Sequence, residues 1–223
     1  MTSGVRPGLF LTVEGVEGVG KTTNMMFIRE WLEAVGVPLL CTREPGGTPL
    51  AEELRGLLLA NRQEPVDPHA ELLMIFAARA QHLNRVILPA LASGTWVLCD
   101  RFTDATYAYQ GGGRKLPVAV IEQLENIVQQ GRHPDRTLLL DLDVETGLAR
   151  ARNRGGLDRF EQEQRSFFED VRRAYQQRVK ADPERFIVID ASRSLDEVQS
   201  QIAAELTKLL ADFKSANENG AGQ

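Results

Sequence analysis

Gly15, Gly18, Gly20, Lys21 and Thr22 follow the spacing G-x-x-x-x-G-K-[ST], with Val16, Glu17 and Val19 between them. Glycines at these intervals let several backbone N–H groups converge on one point, where they can hold phosphate without Cβ atoms in the way. Lys21 is placed to reach terminal phosphates and Thr22 to ligand Mg²⁺. The same string can also be a strand-to-helix turn with a solvated lysine. Its context favours phosphate, because the apolar run Leu9-Phe10-Leu11-Thr12-Val13 directly before it reads as a buried strand.

Four further clusters could meet that phosphate chemistry. Asp100-Arg101-Phe102 follows the apolar run Trp96-Val97-Leu98-Cys99. At the carboxyl end of a parallel strand, Arg101 could fork onto a phosphate and Asp100 hold Mg²⁺ through water, or Asp100 could equally cap the next turn. Thr42-Arg43-Glu44-Pro45-Gly46-Gly47-Thr48 forms a tight loop at the same sheet edge, with Thr48 able to start a helix that carries Arg55. Tyr109-Gln110-Gly111-Gly112-Gly113 permits close backbone approach, with Gln110 available to read a polar edge; a flexible surface loop is as fair a reading. Arg150, Arg152, Arg154 and Arg159 surround Gly155-Gly156 and read as a lid that closes cations over transferring phosphates, the alternative being a solvated basic helix face. Phe76 and Arg79, one helical turn apart, could stack on a flat ring and donate to its carbonyl, although core packing is the commoner fate of such a phenylalanine.

These groups need a scaffold, and the pattern along the chain supplies one. Short apolar runs at 9–14, 37–42, 95–99, 136–142 and 185–190 alternate with amphipathic stretches at 20–35, 48–60, 68–92, 117–130, 144–153, 160–181 and 195–213. That alternation predicts βα units wound into a parallel sheet, an α/β fold. Asp67-Pro68 suits an N-cap and first helical position, and Ser194-Leu195-Asp196-Glu197 matches a capping box. Residues 1–214 read as a single domain, and the small, polar stretch 215–223 is expected to be disordered.

With 223 residues, 43% hydrophobic and 26% charged, the chain has the composition of a globular protein. Its net charge of −5 argues against a nonspecific nucleic-acid or membrane-surface binder, which needs a positive field. Cys41 and Cys99 each end an apolar run and are expected to be buried in a reducing compartment. No apolar run approaches the ~18 residues of a membrane span, which favours a cytoplasmic location.

Taken together, the phosphate loop, Thr42-Arg-Glu-Pro-Gly-Gly-Thr48, Asp100-Arg101-Phe102, Tyr109-Gln-Gly-Gly-Gly113 and Arg152-Asn-Arg-Gly-Gly-Leu-Asp-Arg159 resemble the bacterial thymidylate kinases from Leu9 to about Leu210. The resemblance implies a three-layer P-loop kinase fold with a five-stranded parallel sheet, a short arginine-rich lid at about 150–160, and transfer of the γ-phosphoryl group of ATP to dTMP. It implies Mg²⁺ on Thr22 and Asp100, ATP and dTMP as partners, and a homodimer. ATP would be held by Gly15, Val16, Glu17, Gly18, Val19, Gly20, Lys21, Thr22, Thr23, Arg150 and Arg159. Glu17, Pro45, Arg55, Phe76, Arg79, Arg101, Thr106, Tyr109, Gln110 and Glu161 would hold dTMP. Lys21, Arg101, Arg154, Glu17 and Asp100 would carry the chemistry. Two positions depart from the family pattern. Phe102 stands where members often carry Tyr or His, and the loop carries Glu17 in place of an arginine, which moves the missing positive charge to the lid and to Arg154. A partitioning-type ATPase shares Gly-Val-Gly-Lys-Thr-Thr but places a signature lysine where this chain has Val16.

Overall fold

The computed structural model describes residues 7–152, 159–160 and 162–220. Its centre is a sheet of five parallel strands: β1 (Phe10–Glu14), β2 (Leu39–Arg43), β3 (Trp96–Asp100), β4 (Arg136–Asp141) and β5 (Phe186–Asp190). The strands lie in the order β2-β3-β1-β4-β5, so the order reverses at β1. Phe10 pairs in register with Val97, and Thr12 with Thr137. Every strand predicted from the apolar runs is present, displaced by no more than a residue or two at its ends, as hydrogen-bond ladders commonly are.

Alternation along the strands divides the core. Leu9, Leu11 and Val13, with Trp96 and Leu98, face the larger apolar cluster, which contains Ile28 and Leu32 together with Phe168, Val171, Ile202 and Leu206. Those partners lie on α1 (Lys21–Ala34), α8 (Arg165–Ala181) and α9 (Leu195–Gly220). Phe10, Val97 and Cys99 face the opposite way, onto Leu83, Ile87, Leu91 and Phe102. Toward β4 and β5 this second face turns polar. Thr12 Oγ1 meets Thr137 Oγ1 at 2.8 Å, and Arg185 donates to Thr137 (2.8 Å) and to Asp104 (2.7 and 3.0 Å).

The helix starts have the predicted chemistry. Asp67 accepts from His69 N at 2.8 Å to open α3 (Pro68–His82), and Thr48 accepts from Ala51 N at 3.2 Å to open α2 (Pro49–Leu59). Ser194 and Glu197 exchange the two bonds of a capping box before α9, at 3.0 and 3.4 Å. The predicted 68–92 helix is continuous but changes pitch: α3 runs through wider i→i+5 turns at Leu83–Ile87 into α4 (Leu88–Ala92). Two helical segments escaped prediction, α5 (Thr103–Thr106) and the wide turns Tyr107–Gly113 that follow it. α6 (Val118–Gln129) and α7 (Val144–Arg152) complete the set.

Two expectations change. Cys41 is exposed, because β2 is the edge strand of the sheet; Cys99, on inner β3, is buried, and both thiols are free. α9 continues to Gly220, which puts helical backbone on 215–220, where composition suggests disorder. No Pro or Gly interrupts Leu210 to Asn219, so nothing local ends the helix earlier. Among the described residues no helix is long and apolar enough to cross a membrane.

Candidate active site

β1 delivers the chain into the phosphate loop at the point where the strand order reverses, the position at which open α/β sheets form their ligand crevice. Gly15, Gly18 and Gly20 all have positive φ (143°, 73° and 85°), which orients successive N–H groups along the loop. α1 has no acidic residue in its first turn, leaving its positive end unopposed for an anion. Lys21 Nζ donates to Gly15 O (3.0 Å) and Val16 O (3.1 Å). Burial, and next the positive charge of Arg101, push the Lys21 pKa down to about 8. A Cβ on Gly18 would lie 1.9 Å from Gly147 O, so α7 packs directly on the loop.

A cavity of about 360 Å³ opens in front of this loop. It gathers Glu17, Gly18, Val19, Gly20, Lys21, Thr22 and Thr23 from the loop with Pro45, Arg55, Arg79, Asp100, Arg101, Thr106, Tyr109, Gln110 and Arg150. These residues come from six sequence regions that the motifs and the family resemblance identified separately.

Arg101 sits at the seam. Its backbone is left-handed (φ 68°), a conformation a β-carbon disfavours, and is held there by a 3.0 Å bond from its N–H to Val13 O. Its guanidinium donates to Glu17 Oε1 (3.1 Å) and to the Tyr175 hydroxyl (3.3 Å), and lies 4.7 Å from the Tyr109 ring centre. Tyr109 in turn donates to both oxygens of Glu17, at 2.7 and 2.8 Å. Behind them Glu14, fully buried at the end of β1, accepts from Tyr175 (2.7 Å) and from Phe102 N (2.7 Å). Burial, with Asp104 adding to it, pushes the Glu14 pKa up to about 7 against Arg101 and the two hydrogen bonds.

Arg79 is 1% exposed and almost wholly paired. Nε donates to Glu44 at 2.7 Å and Nη2 to Thr106 at 3.0 Å, and its plane lies between the rings of Phe76 (4.9 Å) and Phe102 (5.0 Å). Nη1 is buried without a hydrogen-bond partner, a donor left over beside a guanidinium that is otherwise paired. His82, also buried, bridges Glu44 (3.1 Å) to Thr42 (2.7 Å) and so fixes the carboxylate that fixes Arg79. Phe102, where the family pattern more often has a polar ring, packs one face of that guanidinium. Phe76 does not line the cavity; it is 2% exposed among Leu72, Tyr107, Leu116 and Ile121.

Asp100 Oδ1 is a second buried polar atom at the site without a partner, here an acceptor. A carboxylate and the Thr22 hydroxyl on the same cavity fit Mg²⁺, which takes its remaining oxygens from phosphates and water; among the described residues no cluster of three or more acidic, His or Cys side chains could enclose a cation alone.

The lid expectation is only partly visible. Arg150 lines the cavity and reaches Ala191 O at 3.3 Å, and Arg152 is exposed at the end of α7. Arg159 turns toward the other wall, donating to Leu58 O (2.9 Å) and Glu71 (2.6 Å). Arg154 and Glu161 lie outside the described residues. Sequence reasoning missed Glu14, Tyr175, Glu44, Glu71 and His82. Glu14 and Glu71 carried a signal, a lone acid closing an apolar strand and another at the start of an apolar helix; Glu44 sat unassigned within the Thr42–Thr48 cluster, and Tyr175 and His82 had no signal.

A family model described as thymidylate kinase matches residues 13–202. A thymidylate kinase from Hahella chejuensis is 59% identical over 207 residues, covering 93% of this chain and 100% of the relative. One from Ectopseudomonas mendocina is 59% identical over 203 residues, covering 91% and 97%. The crystal structure of thymidylate kinase from Ehrlichia chaffeensis superposes with a TM-score of 0.73 at 33% identity, covering 90% of this chain and 99% of that one. With the phosphate loop, the Arg101 seam and the Arg79 wall on one cavity, these matches establish that the chain belongs to the thymidylate kinase family.

Proposed function

We propose that the cavity works as two half-sites joined at Arg101, a backbone-built donor side and a side-chain-built acceptor side. As a thymidylate kinase the protein transfers the γ-phosphoryl group of ATP to dTMP, giving dTDP and ADP. The observation that carries the division of labour is the Arg101 guanidinium, held between Glu17 and Tyr175 on the wall shared by the phosphate loop and Arg79.

The loop from Gly15 to Thr22 cradles the ATP phosphates through its N–H groups, with Thr23 and the N-terminus of α1 behind them. Lys21 exchanges its two carbonyl partners for phosphate oxygens. Arg101 receives the dTMP phosphate, helped by Arg55, whose Nη1 is steadied on Pro45 O at 2.9 Å. Both substrates are anionic, so the protein's task is to align them and to neutralise charge building on the equatorial oxygens. A nucleoside monophosphate is already a dianion near neutral pH, so no strong base is needed. Glu17, bonded to Arg101 and Tyr109, orients the sugar side of the acceptor. Thr22 and Asp100 would hold Mg²⁺, which would supply charge neutralisation for the phosphates. Arg150 and Arg154 bring lid charge to the donor side, and Arg159 reaches it only by leaving Glu71.

On the acceptor side Arg79 Nη1 donates to the base O4, Gln110 and Thr106 line its polar edge, and Tyr109 stands by the sugar. We assign the stacking contact to Phe76 from the family resemblance, supported by its place one turn from Arg79. A panel of dTMP, dUMP, CMP, GMP and AMP with Mg-ATP tests the assignment; strong preference for a purine would overturn the acceptor site. We further propose one domain over 1–214 in the cytoplasm and a homodimer, to which the exposed Leu57 of α2, Leu73 of α3 and Ile127 of α6 would contribute. Sedimentation velocity reads that state directly.

A further inference from the structure

We infer that Glu71 is a specificity-positioning residue: it fixes which end of the Gln110 amide faces the base, and thereby the pyrimidine pattern that the cavity accepts. The inference rests on the base-reading roles proposed for Arg79 and Gln110. Glu71 is fully buried on α3, pointing at three donors from distant parts of the chain. Gln110 Nε2 donates to Oε1 at 2.8 Å, Arg114 Nε to the same oxygen at 3.3 Å, and Arg159 Nη2 to Oε2 at 2.6 Å.

A carboxylate can only accept hydrogen bonds, so the group Gln110 turns toward Glu71 must be its NH₂. Its carbonyl oxygen is then the end left for the cavity that Gln110 lines. Arg79, on the same cavity, contributes Nη1, a buried donor with no partner. The wall therefore presents one donor and one acceptor. That pair matches a pyrimidine with a 4-oxo oxygen and an N3–H, the edge of thymine and uracil. A 4-amino pyrimidine offers a donor and a bare N3 instead, so both contacts fail against it, and unpaired buried groups are what give polar sites their discrimination.

The test compares dTMP with 5-methyl-dCMP, which differs from it only in the 4-oxo, N3–H edge, as kcat/KM ratios. In wild type the ratio is large. Glu71→Gln offers Gln110 both a donor and an acceptor, so the amide is free to turn over, and the ratio falls by about tenfold or more through a gain in relative use of the 4-amino substrate. Glu71→Asp keeps an acceptor-only partner and holds the ratio within a few-fold of wild type even where turnover drops. Parallel loss on both substrates in Glu71→Gln, with the ratio unchanged, makes Glu71 a structural anchor and overturns the inference while the base-reading assignment stands. A wild type that does not discriminate overturns both. Should Glu71→Gln fail to fold, NMR of wild type with bound dTMP decides: the Gln110 amide protons remain bonded at Glu71, and their contact with the thymine ring instead would sink the inference.

Discussion

The donor and acceptor sides of this cavity are built by different means. The donor side is a continuous stretch of eight residues, Gly15 to Thr22, whose working groups are backbone N–H donors set by glycine φ angles, with Lys21 bonded to the loop's own carbonyls. The acceptor side is assembled from side chains 27 to 88 residues apart, through Arg79 with Glu44 and Thr106, Gln110 and Arg159 with Glu71, and Arg101 with Glu17. A phosphate is the same in every nucleotide and can be held by a local string. A particular base edge needs donors and acceptors at fixed places in space, which only a cross-linked wall supplies.

If the two sides are separable, Arg101→Ala should lower kcat/KM for dTMP by roughly three orders of magnitude or more and leave ATP affinity within a few-fold. Steady-state kinetics and nucleotide titration check this, and near-normal dTMP turnover would remove Arg101 from the acceptor side. Glu44→Ala tests whether the wall is held by its ion pairs. It leaves Arg79 and His82 buried without their shared carboxylate, and should destabilise the fold by about 3–5 kcal/mol in denaturant unfolding. A loss below about 1 kcal/mol would mean that the wall keeps its shape without the pair.

Glu14 lies under the seam and gives the comparison a pH dependence. Its carboxyl takes up a proton near pH 7 folded but near 4.5 in the unfolded chain, so between these values the folded state holds a proton that the unfolded state has released. Stability from this group is thus full below about 4.5, falls as pH rises to about 7, and is flat above, spanning at most about 3 kcal/mol. Unfolding free energies of wild type and Glu14→Gln should differ in slope between about pH 4.5 and 7 and run parallel on either side of that window; parallel curves throughout would show that Glu14 titrates normally. The smallest effect is expected at Phe76→Ala, a roughly tenfold loss of dTMP affinity from lost stacking, with ATP untouched. Unchanged affinity would leave Phe76 as a core residue.

What could be read from the sequence follows the same division. The strands, the helix caps and the phosphate loop are local patterns, and each is present where spacing placed it. Arg101 and Arg79 were also legible, as residues at a strand end and on an apolar helix. Their partners were not. Nothing in the neighbourhood of Glu44 announces that His82 and Arg79 will close on it, and nothing near Glu71 announces Gln110, because those pairings exist only once the sheet order brings the segments together. At Tyr109 to Gly113 the sequence left close backbone approach and a flexible loop equally open, and the structure shows the first. A Cβ on Gly113 would come within 2.3 Å of Phe167 and one on Gly112 within 2.7 Å of Ala174, so these glycines admit α8 against a helical turn.

The contact of Gly18 with Gly147 bears on how tolerance to mutation should be interpreted. A Cβ on either residue would enter the other segment's backbone, at 1.9 Å from Gly147 O or 2.6 Å from Glu17 O. A survey of every substitution would therefore score Gly147 as severely as the loop glycines, although it lies on a different helix and holds no phosphate. Intolerance there records the thickness of two backbones in contact, and a map of essential positions would draw the catalytic centre larger than it is.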